Sequence, residues 1–330
     1  MNTDFTIFFD SEDTDPEEAA GAAQEAFKRL EHIEDLLSRF KASSDISRVN
    51  ALKPSETWEL CPESFACLNT AAILAEETNR AFDPSAGALI DFWKARTVRP
   101  EGCEQTPEWK AAWERHRAGE FALDPESRLV QCVSTGSLLD LGAIGKGFAL
   151  DEMARRIEED WELSRVLLSA GGSTVLALDA PLLKPGWKIG FGGETRLPYL
   201  YLTRRALSTS GTDNQPAHLV DPRTGLLVTR SDLVRAEAAT AADADTLSTA
   251  FFVMSRAEAE EYCERRTDHC ALFSQASAGD GVQDKFDVVG CSERLLWEDR
   301  EPEEAEPEPE PETPETAPAP ESEPEELEND

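Results

Sequence analysis

The feature that most constrains this chain is a switch in hydrophobic period along its length. Ala23, Phe27, Leu30, Ile33, Leu37 and Phe40 recur at three- and four-residue steps. They follow Asp15-Pro16-Glu17-Glu18, which supplies an N-cap, a proline at the first helical position and acids in the first turn. This predicts an amphipathic helix. A second is predicted from Pro62-Glu63 through Phe65, Leu68, Ala72 and Ala75 to near Asn79. Gln105 to Gly119 is polar with Trp109 and Trp113 four apart, which predicts a short exposed helix carrying an aromatic stripe. Beyond it the pattern changes to short β-rich runs: Arg128 to Val133, Val166 to Ser169, Thr174 to Leu178, Trp187 to Phe191, Tyr199 to Thr203, His218 to Val220 and Asp287 to Val289. Helices at Phe148 to Glu159 and about Ala244 to Met254 interrupt them. Helices first, then a meandering sheet with helices laid on it, predict an α+β fold with a mixed or antiparallel sheet, rather than a doubly wound parallel one.

Charge divides the chain. The 330 residues carry 66 acidic and 32 basic groups, a formal charge of −34. Glu301 to Asp330 holds 14 of the acids and eight prolines with no Lys or Arg. From Asp299 onward alternating Glu and Pro removes both apolar burial and backbone donors, which predicts a disordered tail over 299–330 and one domain over 1–298. That body, at net −20, is 40% hydrophobic across the whole chain's composition and contains all seven Trp, enough for a proper core. So negative a surface excludes nucleic acid and anionic membrane surfaces as partners. No window reaches the length of a membrane span, and Met1 to Asp10 lacks a basic n-region and a long apolar run, so the expected location is cytoplasmic. The seven cysteines are odd in number with no CxxC spacing, which predicts reduced, mostly buried thiols.

Four segments carry candidate chemistry. Asp140-Leu-Gly-Ala-Ile-Gly-Lys-Gly147 leaves an apolar strand at Leu138-Leu139 and enters a helix. Glycines there let a backbone approach a phosphate, and Lys146 adds a point charge beside a helix N-terminus, although a tight turn with a solvated lysine reads equally well. Ala81-Phe-Asp-Pro-Ser85 taken alone is a turn. His218-Leu-Val-Asp-Pro-Arg-Thr-Gly225 delivers a His, an Asp, an Arg and a Thr into one turn, or else simply pairs the Arg with Asp221. In Ala244-Asp-Thr-Leu-Ser-Thr-Ala250, Asp245 and Thr249 share a helix face; their oxygens suit a hard cation such as Mg2+, and Asp245 also reads as a first-turn acid.

In this order, and together with Ser38-Arg-Phe40, Ser47-Arg-Val-Asn50, Ala170-Gly-Gly172 and Thr209-Ser-Gly211, these segments resemble the FAD:protein FMN transferase family, the ApbE-type flavin transferases, from Met1 to about residue 290. The resemblance implies a Mg2+-dependent enzyme that moves FMN from FAD onto a Ser or Thr hydroxyl of an acceptor flavoprotein and releases AMP. It implies metal ligation by Ala143, Asp245 and Thr249. It implies a flavin site of Met1, Ala81, Phe82, Asp83, Asp140, Lys146, His218 and Leu219. Lys146 and His218 would be catalytic, the first neutralising phosphate charge and the second taking the hydroxyl proton. The chain departs from the family at Asn2, where Met-Gly-Thr is usual, and at Gly145, where alanine is common. An FAD pyrophosphatase releasing FMN and AMP, or a flavin-binding protein without turnover, are the competing readings.

Overall fold

In the computed structural model the described residues are 3–96, 102–191, 196–211, 219–230, 232–275, 285–290 and 296–299. Residues 300–330 of the acidic segment expected to be disordered, together with Met1 and His218, lie outside them. In chain order the elements are β1 (Phe5–Phe9), α1 (Pro16–Leu37), α2 (Asp45–Asn50), β2 (Thr57–Glu59), α3 (Pro62–Glu77), α4 (Gly87–Lys94), a 3-10 turn (Cys103–Gln105) and α5 (Pro107–Ala118). There follow β3 (Glu120–Asp124), β4 (Leu129–Ser134), α6 (Gly145–Trp161), β5 (Val166–Ala170), β6 (Thr174–Ala177), β7 (Trp187–Gly190), β8 (Arg196–Leu202) and β9 (Arg205–Ser210). The last are β10 (Val220–Asp221), β11 (Leu226–Leu227), β12 (Asp232–Ala238), α7 (Ala241–Val253), α8 (Arg256–Arg265), β13 (Cys270–Gln275), β14 (Lys285–Val289) and β15 (Leu296–Asp299). Asp299, assigned to the tail by the Glu/Pro pattern, closes β15.

The architecture is α+β, as the switch in period predicts. Its centre is a seven-stranded sheet in the order β1-β5-β6-β9-β12-β13-β14, antiparallel at every pairing. Strand alternation sorts its side chains between two layers. Val166, Leu168, Leu176, Ala206, Val234 and Ala236 share a core with α1, α3, α6 and α7. Leu167, Val175, Leu207 and Leu272 face the other way and pack beneath Ile189, Leu200 and Leu202 of the small sheet β15-β8-β7.

Local chemistry explains the helix limits. The Asp15 carboxylate accepts from the Glu17 and Glu18 amides, as its position before Pro16 predicts. The buried stripe of α1 runs through Ala22, Ala26, Ile33 and Leu37, leaving Phe27 and Phe40 exposed, because small residues let α1 lie close against α6. Helix α7 is buried on nearly every side, so its sequence has little amphipathic period. It begins three residues before the predicted Ala244, with Thr240 as its cap.

Three expectations are corrected. Leu138 and Leu139 form only an isolated parallel bridge, Leu138 to Ala86, rather than a strand: the Leu138 carbonyl accepts from the Gly87 amide (2.9 Å), while the Asn50 side chain accepts from the Leu139 amide (2.7 Å) and donates to the Leu139 carbonyl (3.0 Å). Helix α5 is not an exposed aromatic stripe: Trp109 and Trp113 stack 5.7 Å apart against a small core with Leu89 and Trp93, and the Trp109 and Trp93 indoles both donate to the Gly225 carbonyl at 3.0 Å. Cys270 is disulfide-bonded, although Cys61, Cys67, Cys103, Cys132 and Cys263 are free.

Gly147 sits where α6 crosses the start of α7, and a Cβ there would lie 2.0 Å from the Ala241 carbonyl oxygen. Gly147→Ala must therefore push the two helices apart, with an expected loss of roughly 1–3 kcal/mol in urea unfolding. An unchanged midpoint and slope would show that the crossing yields without cost.

Candidate active site

A cavity of about 740 Å³ opens where α6 and α7 meet the ends of β6, β9 and β12. Its walls bring together Ala81, Phe82, Asp83, Asp140, Ala143, Lys146, Leu219, Asp245 and Thr249, all of the sequence-predicted site residues that are described. The roles expected of Met1 and His218 concern residues outside the described set.

Asp245 is the buried centre, 3% exposed. Its Oδ1 lies 2.9 Å from the Lys146 ammonium and accepts from the hydroxyls of Thr174 (3.3 Å) and Ser208 (3.4 Å). Its Oδ2 accepts from the Gly147 amide at 3.1 Å, one of the donors left free at the start of α6. A hydroxyl chain continues outward: Thr174 to Ser208 (2.9 Å), Ser208 to Ser248 (3.2 Å), Ser248 to Ser210 (2.9 Å) and Ser210 to Thr249 (3.4 Å). These donors satisfy carboxylate oxygens that would be costly to bury unpaired.

The donors fit a hard cation. Asp245, Thr249 and Ala143 line the same cavity, and a carboxylate, a hydroxyl and a backbone carbonyl are the oxygen groups they carry. Among the described residues no group of three His, Cys, Asp or Glu gathers. A single carboxylate with neutral oxygens is the set that suits Mg2+, which keeps open positions for waters and phosphate oxygens.

Other parts of the recognised motifs hold the walls in place. The Arg39 guanidinium pairs with Asp140 (Nε to Oδ2, 2.7 Å) and forks onto Asp91 at 3.0 and 2.5 Å. Asp140 also accepts from the Gly142 amide at 2.8 Å, which fixes the glycine loop as a turn. Asp83 accepts from the Ser85 amide (2.8 Å) and hydroxyl (2.6 Å). His116 bridges the Ser85 and Pro222 carbonyls, at 3.4 and 3.1 Å, tying two cavity loops together. Asp221 accepts from the Arg223 guanidinium at 3.0 Å, so within this turn the pairing reading holds. Arg39 and Asn50 lie inside motifs visible in the sequence, yet nothing in a linear pattern reveals that they clamp Asp140 and Leu139.

A second buried carboxylate, Asp151 of α6, accepts from the Ala241 and Ala242 amides at 2.8 and 2.9 Å and so caps α7. Burial pushes its carboxyl up to about 7, against the pull of those two amides. The site is thus a carboxylate–ammonium pair at the mutual crossing of two helix N-termini, opening into a cavity large enough for a small ligand.

The chain belongs to the ApbE family, whose model matches residues 1–273. It is 29% identical over 265 residues to the FAD:protein FMN transferase of Treponema pallidum, spanning 72% of each chain. It is 23% identical over 288 residues to that of Escherichia coli, covering 82% of this chain and 80% of the relative. Its fold is that of the flavin transferase ApbE from Vibrio cholerae, with a TM-score of 0.75 at 19% identity over 90% of this chain and 96% of the other. It also matches the ApbE protein of Thermotoga maritima, with a TM-score of 0.65 at 24% identity over 82% and 94%.

The raised Asp151 carboxyl sets a sign for stability. The folded state holds this proton more tightly than the unfolded chain, whose carboxyl titrates near 4, so the contribution of Asp151 is fully present below that pH. It falls as the pH climbs to about 7. Urea unfolding of wild type and Asp151→Asn between pH 4 and 7 is expected to show the wild type losing ground to the variant as pH rises. A difference that stays constant or grows the other way contradicts the buried-proton account.

Proposed function

We propose that this chain transfers the FMN moiety of FAD to a Ser or Thr hydroxyl of an acceptor flavoprotein, releasing AMP, in a Mg2+-dependent reaction. The observation that carries the reading is the convergence of Asp245, Thr249, Ala143 and Lys146 on one cavity with the Ala81–Asp83 and Asp140 walls. The family and its named relatives support it. Asp245, Thr249 and Ala143 would hold Mg2+, which when bound supplies charge neutralisation for the diphosphate.

In this reading the acceptor oxygen attacks the FMN-side phosphorus, the bond to the bridging oxygen breaks, and AMP carries that oxygen away. Lys146 has three donor hydrogens, so an ammonium anchored on Asp245 keeps donors for phosphate oxygens. Buried Thr174 and Ser208 fix the Asp245 carboxylate, so the site need not reorganise as charge shifts. Met1, Phe82, Asp83, Asp140 and Leu219 would seat the dinucleotide, and His218 would take the acceptor proton.

Mixing the protein with FAD, Mg2+ and a candidate flavoprotein domain is expected to add an FMN-sized mass to the acceptor and release equal AMP. Rapid AMP release without any acceptor would instead identify a pyrophosphatase, and bound FAD with no AMP under any condition a binding protein. Asp245→Asn is expected to lower the rate by roughly a hundredfold or more and to remove its response to Mg2+; full activity in EDTA overturns the metal assignment. For His218→Ala the expected loss is roughly a hundredfold, and a rate within a few-fold of wild type removes that residue from proton transfer.

A further inference from the structure

Arg235 has no place in the reaction described above, yet its side chain reaches the same cavity from the opposite face of the sheet. It is only 5% exposed. Its one described hydrogen bond goes to a neutral group, the Ser274 hydroxyl at 2.8 Å. Among the described residues no carboxylate pairs with it. Burial alone pulls the guanidinium down to about 10, so it stays charged at neutral pH. By contrast Arg205 sits on Glu237 and Arg39 on Asp91 and Asp140.

A buried cation held by one hydroxyl is costly unless a ligand completes its hydrogen bonds. The surroundings say what kind. The guanidinium lies 4.9 Å from the centre of the Phe191 ring and 5.9 Å from that of Phe286. Beside it Val175, Ile189, Leu207 and Leu233 line the cavity with apolar surface. A phosphate in such a slot would find one fork of donors and otherwise hydrocarbon, leaving most of its oxygens unsatisfied. A flat ring with carbonyl oxygens along one edge fits both features, its faces against the apolar walls and its edge against the guanidinium. Arginine is a donor without acceptors, so the edge must offer acceptors side by side. The N1/C2=O edge of a flavin does so, whereas each hydrogen-bonding edge of adenine that carries the amino group sets a donor beside an acceptor.

We propose that Arg235 receives the N1/C2=O edge of the isoalloxazine ring, with Phe191 and the apolar slot holding the ring itself. The assignment rests on the flavin reading of the cavity and deepens it. It makes Arg235 a substrate-binding residue that selects flavin over other planar rings and takes no part in phosphoryl transfer.

The test measures binding by wild type, Arg235→Gln and Arg235→Lys, with EDTA present so that no metal is involved. Riboflavin is followed by quenching of its fluorescence and AMP by calorimetry. Arg235→Gln is expected to weaken riboflavin roughly tenfold or more, with AMP unchanged, and Arg235→Lys to recover only part of the loss because an ammonium lacks the planar fork. Should Arg235→Gln fail to fold by circular dichroism, Arg235→Lys and Phe191→Ala carry the same comparison. Riboflavin affinity within twofold of wild type in the folded variants overturns the assignment. So does a loss confined to AMP, which would place the adenylate half in the slot. If wild type binds neither riboflavin nor FAD, the flavin reading itself falls; if it binds both and the variants match it, only the role of Arg235 does.

Discussion

Two buried carboxylates, each capping the helix that carries the other, hold this structure together at its centre. Asp245 of α7 accepts from the Gly147 amide near the start of α6, and Asp151 of α6 accepts from the first two amides of α7. Each helix N-terminus presents unsatisfied donors and partial positive charge, and each receives a carboxylate in return. The exchange demands that the backbones nearly touch, which is why position 147 has no Cβ. Once the crossing is set, Lys146 lies against Asp245, and the ammonium meets the cavity already paired with that buried carboxylate.

The remaining motifs serve this centre at a distance. Arg39 ties Asp140 to Asp91, and Asn50 binds both backbone groups of Leu139, so two segments from the first fifty residues hold the approach to the glycine loop. With the Asn50 amide pairing Leu139 between backbone bonds that join Leu138 to Gly87 and Asp140 to Pro84, the loop's approach keeps its backbone groups paired. His116 performs a related task between the Ser85 and Pro222 carbonyls. These contacts join segments tens of residues apart, which makes the cavity wall a property of the tertiary fold and of no single loop.

What could be read from the sequence follows the same division. The Asp15 cap of α1, the helices at α1, α3 and α6 and the shared cavity wall of Asp245 and Thr249 are local facts, and they appear as expected. Strands β9 and β12 went unread because Ser208, Arg235 and Glu237 place polar groups at buried positions, and polar residues in a strand look like solvent-facing ones until their partners are known. Trp109 and Trp113 look like a surface stripe because the group they cover, the Gly225 carbonyl, lies more than a hundred residues away. The reciprocal caps are invisible for the same reason, since Asp151 reads as an ordinary polar position on a helix.

The two ends of the cavity are kept chemically distinct by strand register. In β9 and β12 neighbouring residues point to opposite faces, with Ser208 paired to Ala236 and Thr209 to Arg235. Ser208 therefore meets Asp245 on the helix side while Leu207 and Arg235 turn toward the apolar slot beneath β7. A slip of β12 by one residue would turn Arg235 toward the helix core and bring Val234 and Ala236 to the other face, removing the slot's donor while Ser208 stayed in place on β9. The pairing of β12 on its other side, with Val234 opposite Phe273 and Leu233 opposite Ser274, holds against that slip and puts the hydroxyl where the guanidinium needs it. Polar chemistry at one end and ring-shaped apolar space at the other thus derive from one hydrogen-bonded ladder, which wraps a single cavity around the ends of its strands.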